Sequence, residues 1–184
     1  MDIVIREITA GERDIRAEID DSFTVDSTLV LSLTDGKIGY TVKKIPGYEK
    51  SYSDEQFAEA AGEDHLGNDD NPNQVMYLAF AEEQVAGRII LRRNWNRYAY
   101  VEDIAVHKPF RGLGIGRQLI ERARLWAQAG GMPGIMLETQ SNNVLACKFY
   151  ERCGFIIGGF DSQLYRGIHK HNDEIAIFWY LLFE

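Results

Sequence analysis

Residues 111–117 read Arg-Gly-Leu-Gly-Ile-Gly-Arg, with glycine at every second position between two arginines and an amphipathic run behind. That spacing suits phosphate. Backbone N–H groups at a helix start point outward, and the helix dipole favours an anion there. Glycine lets the backbone approach without side-chain clash, and Arg111 and Arg117 can add charge-assisted bonds. A dinucleotide fingerprint needs Gly-x-Gly-x-x-Gly early in a parallel sheet, which is not the pattern here. No Gly-Lys-Ser/Thr follows, so a Walker loop is also set aside. Just upstream, RYAYVEDIAV (97–106) carries two adjacent carboxylates among tyrosines. Strict alternation puts Tyr98, Tyr100, Glu102 and Ile104 on one face, and Val101, Asp103 and Ala105 on the other. A bulge would interchange the two carboxylates.

These residues need elements to hold them. Residues 2–8 alternate as a half-buried strand does, and a helix through Ile15 and Ile19 should follow. LVLSL (29–33) and IGYTVKKI (38–45) predict a hairpin around Thr34, Asp35 and Gly36. Ser53-Asp54-Glu55-Gln56 resembles a helix start, and residues 63–73 read as an acidic surface loop. From residue 75 the pattern sharpens. VMYLAFA (75–81) and VAGRIILRR (85–93) predict strands joined by Glu82-Glu83-Gln84, and Asn94-Trp95-Asn96 turns the chain into 97–106. Behind the glycine loop, Ile115, Leu119, Ala123, Trp126 and Ala127 recur at helical spacing, and Gly130 and Gly131 end that helix. GIMLETQ (134–140) predicts a buried strand. Asn142 or Asn143 can cap a helix with inner face Ala146, Phe149, Tyr150 and Cys153, closed by Gly154. FIIGGFDSQLY and EIAIFWYLLF predict two last strands. The second half thus reads β-β-β-α-β-α-β-β, a mixed sheet with helices against it.

Composition bounds the function. The 184 residues predict one domain, residues 1–73 forming its acceptor side and 74–184 its core. The charge sum, 20 basic minus 28 acidic or −8, argues against nucleic acid and leaves room for a cationic partner. No run approaches the ~20 apolar residues of a membrane span, and the charged N-terminus is not a secretory signal. Cys147 and Cys153 fall on different turns of one predicted helix, so they read as reduced thiols of a cytoplasmic protein. His169-Lys170-His171 has no third ligand spaced nearby and reads as an exposed turn; no metal is expected.

Two blocks carry a family resemblance. VEDIAVHKPFRGLGIGRQLI resembles the signature of the GNAT superfamily, the acetyl-CoA-dependent N-acetyltransferases: a hydrophobic strand end, then Arg-x-x-Gly-x-Gly opening a helix, here Arg111, Gly114 and Gly116. SNNVLACKFYERCGF resembles its second block through Asn143, Ala146, Tyr150, Gly154 and Phe155. The likeness covers about residues 75–181 and implies an α/β (α+β) fold: a mixed, mostly antiparallel central sheet of six to seven strands flanked by helices. It also implies that coenzyme A pyrophosphate sits on the amides of Arg111, Gly112, Leu113, Gly114, Ile115, Gly116 and Arg117. The pantetheine arm would pair with the backbone at Ile104, Ala105 and Val106, a strand-like addition. Asn143 would lie near that arm and Tyr150 near the thioester sulfur.

The implied reaction sets its own needs. A lysine-like amine has pKa ~10.4 and attacks only when neutral, so a base or a water chain must take its proton. Tyr150 fits as acid for the departing thiolate, and a backbone N–H near Val106 fits the oxyanion. Glu102 is the first candidate base, directly or through water, and Asp103 the second. Glu63, Asp64, Asp69 and Asp70, with Trp95, Tyr98 and Tyr100, suit a small cationic acceptor; Glu102, Asp103, Tyr98 and Tyr100 are the expected contacts. LRRNWNRYAYVEDIAV, IMLETQSNNVLACKFYERCGF and IAIFWYL are similar to streptothricin acetyltransferases. That likeness implies the β-lysine amine of streptothricin as acceptor, with a polyamine, another amine antibiotic or a protein amine as alternatives, or a non-catalytic acetyl-CoA-binding module. The apolar end EIAIFWYLLF could pack in the sheet or pair two subunits as a homodimer.

Overall fold

The computed structural model describes residues 2–8, 12, 19–52, 71–168 and 173–184. The described strands are β1 (Ile3–Glu7), β2 (Phe23–Thr34), β3 (Lys37–Lys50), β4 (Gln74–Ala81), β5 (Gln84–Arg93), β6 (Ala99–Val106), β7 (Gly134–Gln140), β8 (Ile156–Asp161) and β9 (Ala176–Leu182). The described α-helices are α1 (Ile115–Ala129) and α2 (Val144–Arg152). The chain divides into two compact units, each made of two segments: residues 1–22 with 51–135, and residues 23–50 with 136–184. The expected helix through Ile15, the helix start at 53–56, most of the acidic loop and the His169–His171 turn lie outside the described residues.

In the first unit β1, β4, β5 and β6 pair antiparallel in that order. Glu82 and Glu83 make the β4–β5 turn with φ of 51° and 70°. Two successive left-handed residues match the twist of a tight hairpin. The helix α1 packs on β5 and β6. It buries Ile115, Leu119, Ile120, Ala123 and Ala127. Trp126, expected on that face, is only half-buried, and Ile120 takes its place. Gly87 of β5 is where the helix comes closest: a Cβ there would meet the Ala105 carbonyl at 2.9 Å and the Ile115 and Leu119 side chains at 3.3 Å. At its end, Gly131 turns left-handed at φ 63°. Its N–H donates to Gln128 O at 3.0 Å and that of Met132 to Ala127 O at 2.9 Å. The pair of bonds satisfies carbonyls the helix would otherwise leave open.

In the second unit β2 and β3 form a hairpin longer than the sequence suggests, turned by Asp35 (φ 50°) and Gly36 (φ 74°). Phe23, Val25, Ser27 and Leu29 alternate inward along β2. The other strands run β7-β9-β8, with β8 and β9 antiparallel. Trp179 of β9 is buried, its indole N–H donating to Thr139 Oγ1 at 3.0 Å. The expected strand over 155–165 stops at Asp161, whose carboxylate accepts from the backbone N–H of Gln163 and Leu164 and turns the chain into a 3-10 turn, Leu164–Gly167. Four strands in one unit and three in the other, besides the hairpin, agree with the six to seven expected. No described helix is long and apolar enough to cross a membrane.

Candidate active site

The glycine loop begins where β6 ends. A single 3-10 turn, Lys108–Phe110 with Pro109 as its second residue, hands the chain to Arg111. Gly112 (φ 80°) and Gly114 (φ 81°) are both left-handed, a conformation that side chains resist. A Cβ at either would touch nothing within 4 Å, so the backbone faces open space. Gly114 is the N-cap of α1, and the first amides of that helix have no acceptor within it. The segment leads into the positive end of a fifteen-residue helix.

Arg111 does something the sequence did not show. Its Nε donates to Val106 O at 3.0 Å, Nη1 to Ser22 O at 2.7 Å and Nη2 to Asp20 O at 3.3 Å. Asp20 and Ser22 lie outside any strand, so their carbonyls need donors, and the guanidinium fork supplies them. The side chain expected on phosphate therefore braces the loop from behind. Asp20 is held further by its own N–H donating to His107 Nδ1 at 2.9 Å and by Lys108 N–H donating to its carbonyl at 3.1 Å. The Ser22 donors lower the Asp20 carboxyl from its ordinary value, with Lys108 and Arg111 adding to the effect.

The strand β6 breaks the expected alternation. Its register against β5 jumps from Ile90↔Asp103 to Leu91↔Val101, leaving Glu102 as the extra residue of a bulge. Cross-strand partners share a face. Tyr100, Asp103 and Ala105 therefore lie with Arg92, Ile90 and Arg88, while Val101, Ile104 and Val106 lie on the α1 side with Gly87. Strict alternation set Asp103 apart from Glu102 and kept Ile104 beside it; the extra residue shifts the parity and brings the two carboxylates to one face. Each meets an arginine there. Arg92 Nε bonds Glu102 Oε1 at 2.6 Å, and Arg88 Nε bonds Asp103 Oδ2. Gln74 Nε2 reaches Glu102 Oε2 at 3.4 Å. The Arg92 guanidinium also lies over the Tyr100 ring, 4.7 Å from its centre, and donates to Asn94 Oδ1 at 2.6 Å. Tyr98 precedes the strand, its carbonyl accepting from Asn94 N–H at 2.9 Å, and Trp95 at the same turn is exposed. Arg88 and Arg92 were missed from sequence. Their signal was a four-residue spacing on β5, two periods of the strand, in phase with Tyr100 and legible only once the bulge is known.

Asn143 and Tyr150 belong to the second unit. Of the two expected caps it is Asn143 whose Oδ1 accepts from Ala146 N–H, at 3.3 Å. Two turns on, Tyr150 is buried among Phe149, Phe155 and Trp179, ring centres 5.2, 5.5 and 6.4 Å away. Cys147, rather than Ala146 or Cys153, is the other buried residue of this helix; burial pushes its thiol up to about 11. Neither cysteine is in a disulfide. Glu138 of β7, which the sequence reading passed over, accepts from the Tyr165 hydroxyl. Burial raises its carboxyl above the ordinary value, the Tyr165 bond opposing and Asp161 adding.

The chain is similar to known proteins along most of its length. The model of the Acetyltransferase (GNAT) family matches residues 43–155. Streptothricin acetyltransferase A of Bacillus subtilis (strain 168) is 39% identical over 77% of this chain and 86% of its own length. The streptothricin acetyltransferase of Escherichia coli is 32% identical over 89% of this chain and 87% of its own. A provisionally named streptothricin acetyltransferase from Bacillus anthracis str. Ames, solved in complex with acetyl coenzyme A, superposes with a TM-score of 0.87 at 49% identity, covering 100% of this chain and 99% of that one.

Proposed function

The chain belongs to the GNAT acetyltransferase family, and from that premise we propose that it moves the acetyl group of acetyl-CoA to the β-lysine amine of streptothricin, an antibiotic-resistance activity. It is an acetyl-CoA-dependent acetyltransferase with the α/β GNAT fold. The observation that carries the reading is the loop at 111–117: two left-handed glycines with open space beside their Cα atoms lead into a helix N-terminus, the kind of backbone site a pyrophosphate occupies. The acceptor rests on the names of the relatives; the two carboxylates a cation would meet, Glu102 and Asp103, are paired with Arg92 and Arg88.

In this reading the amides from Gly112 to Arg117 take the pyrophosphate, while Arg111 braces them. The backbone of Ile104, Ala105 and Val106 pairs with the pantetheine amides, and Asn143 lies along the same arm. Tyr150 gives its proton to the departing thiolate. Glu102 takes the amine proton through water, because Arg92 and Gln74 already occupy its oxygens. Asp103, on the same face, is the second candidate. Tyr98 and Tyr100 line the approach of the cation.

The test is acetyl-CoA-dependent thiol release with streptothricin, spermidine, an aminoglycoside, free lysine and an N-terminal peptide. We expect kcat/KM with streptothricin to exceed the rest by about 100-fold or more, or ~2.7 kcal/mol in transition-state binding. Release with another amine and none with streptothricin keeps the enzyme class and discards the acceptor.

A further inference from the structure

We infer that Arg92 is a positioning residue for the acetyl transfer: held by Tyr100 and Asn94, its guanidinium fork fixes the carboxylate of Glu102 and leaves Oε2 as the oxygen that takes the amine proton. The inference rests on Glu102 as base and deepens that reading. Arg92 and Glu102 belong to one unit, and Arg92 shares its face of β5 and β6 with Tyr100 and Asp103.

Glu102 needs such a partner because of where it stands. Asp103 sits in register opposite Ile90, so the ladder sets the direction of its side chain. Glu102 is the extra residue of the bulge and has no residue opposite it. Left to its own torsions, a glutamate side chain spreads its carboxylate over several rotamers.

Arg92 supplies the fixed point. Tyr100 is its partner across the ladder, and the guanidinium lies over that ring, 4.7 Å from its centre. Nη1 donates to Asn94 Oδ1 at 2.6 Å. Asn94 is itself buried and pinned, its N–H donating to Tyr98 O and its carbonyl accepting from Arg97 N–H, both at 2.9 Å. Neither tie needs Glu102. A guanidinium is planar, so one stacked face and one bonded nitrogen settle where Nε points. It points at Glu102 Oε1, 2.6 Å away.

With Oε1 engaged, the working oxygen is Oε2. Among the described residues it meets Gln74 Nε2, at 3.4 Å, longer than a usual N–H···O bond, so a lone pair remains for water. The Arg92 side chain is 39% exposed and that of Glu102 21%. An ion pair so exposed adds little to stability; its effect is on direction. In the step it serves, an N–H bond of the acceptor ammonium breaks and the electron pair stays on nitrogen. The proton passes through water to Oε2 and goes to solvent after turnover.

The test is a double-mutant cycle of Arg92→Met, which keeps the unbranched stem and removes every donor, with Glu102→Gln. The acceptor is streptothricin, or whichever amine the wild type acetylates. Glu102→Gln should lower kcat about 100-fold and Arg92→Met about tenfold, the effect of a misplaced base, with acetyl-CoA KM within twofold in both. The double variant should match Glu102→Gln within about twofold, because Arg92 acts through Glu102. If Arg92→Met does not fold, Arg92→Lys replaces it, keeping the charge without the fork, with about threefold expected. Wild-type kcat in Arg92→Met while Glu102→Gln is impaired overturns the inference alone. So does a loss that multiplies in the double variant, or one that comes with a higher acetyl-CoA KM and a lower Tm. Wild-type kcat in Glu102→Gln overturns the base assignment first, and a wild type active on no amine overturns both.

Discussion

The loop at 111–117 and the turn at 140–143 both follow a strand and both open a helix, yet they are built from different material. The loop works with backbone: two glycines set the direction of its amides, and Arg111, its nearest long side chain, is turned away onto Val106, Ser22 and Asp20 carbonyls. The turn works with side chains: Asn143 caps α2, Ser141 ties three segments, and Asn142 holds Glu174. A backbone site tolerates any side chain that leaves φ positive. A buried side-chain site tolerates little, because removing one partner strands another. Damage to the loop should therefore appear in acetyl-CoA binding and damage to the turn in the chemistry.

The largest expected effect lies on the helix that the turn begins. Tyr150→Phe should lower kcat about 100-fold, within the range for a lost general acid, while acetyl-CoA affinity stays within twofold. Turnover unchanged from wild type removes its acid role. On the loop side, Gly114→Val forces a branched side chain into φ 81°. It should raise the acetyl-CoA KM about tenfold and cost ~1–2 kcal/mol in urea unfolding. If the acceptor KM moves instead, the division between backbone site and side-chain site is wrong.

Smaller effects sharpen the contrast. Asn143→Ala should cost ~1 kcal/mol, the value of a helix cap, and a matched loss of kcat would show how far the cap positions Tyr150. The smallest effect concerns Glu138. Its carboxyl is raised by burial, so the folded state holds the proton more tightly than the unfolded one. That contribution is full below the unfolded pKa and lost as pH rises through the folded value. Glu138→Gln should then raise Tm by about 1–2 °C at pH 7 and leave it unchanged at pH 4. A Tm gain equal at both pH values would mean that the carboxyl is not the cause.

How legible these regions were follows from the same distinction. Glycine spacing announces a backbone site, because left-handed φ leaves few residues to choose from, so the loop, the two helices and most strand positions were readable. The bulge at Glu102 was not. One extra residue changes parity without changing composition, and its consequences, Asp103 beside Glu102 and Ile104 turned to α1, depend on pairing with β5. The role of Arg111 was hidden for a related reason: its acceptors lie 89 and 91 residues away in sequence. Lys50 and Glu174 meet across 124 residues, a distance over which no local pattern speaks.

The interleaving of the two units also sets a timetable on the ribosome. The hairpin at 23–50 is synthesised early, but the rest of its unit begins at residue 136 and Glu174 comes later still. At roughly 5–20 residues per second, Lys50 waits on the order of 6–25 s for its partner. The unit completed by residue 135 has all of its chain before then. During that interval the nascent hairpin carries Phe23, Val25 and Leu29, apolar residues that end up buried, without the segments that complete their unit. It is the stretch on which a holding chaperone would have most to grip.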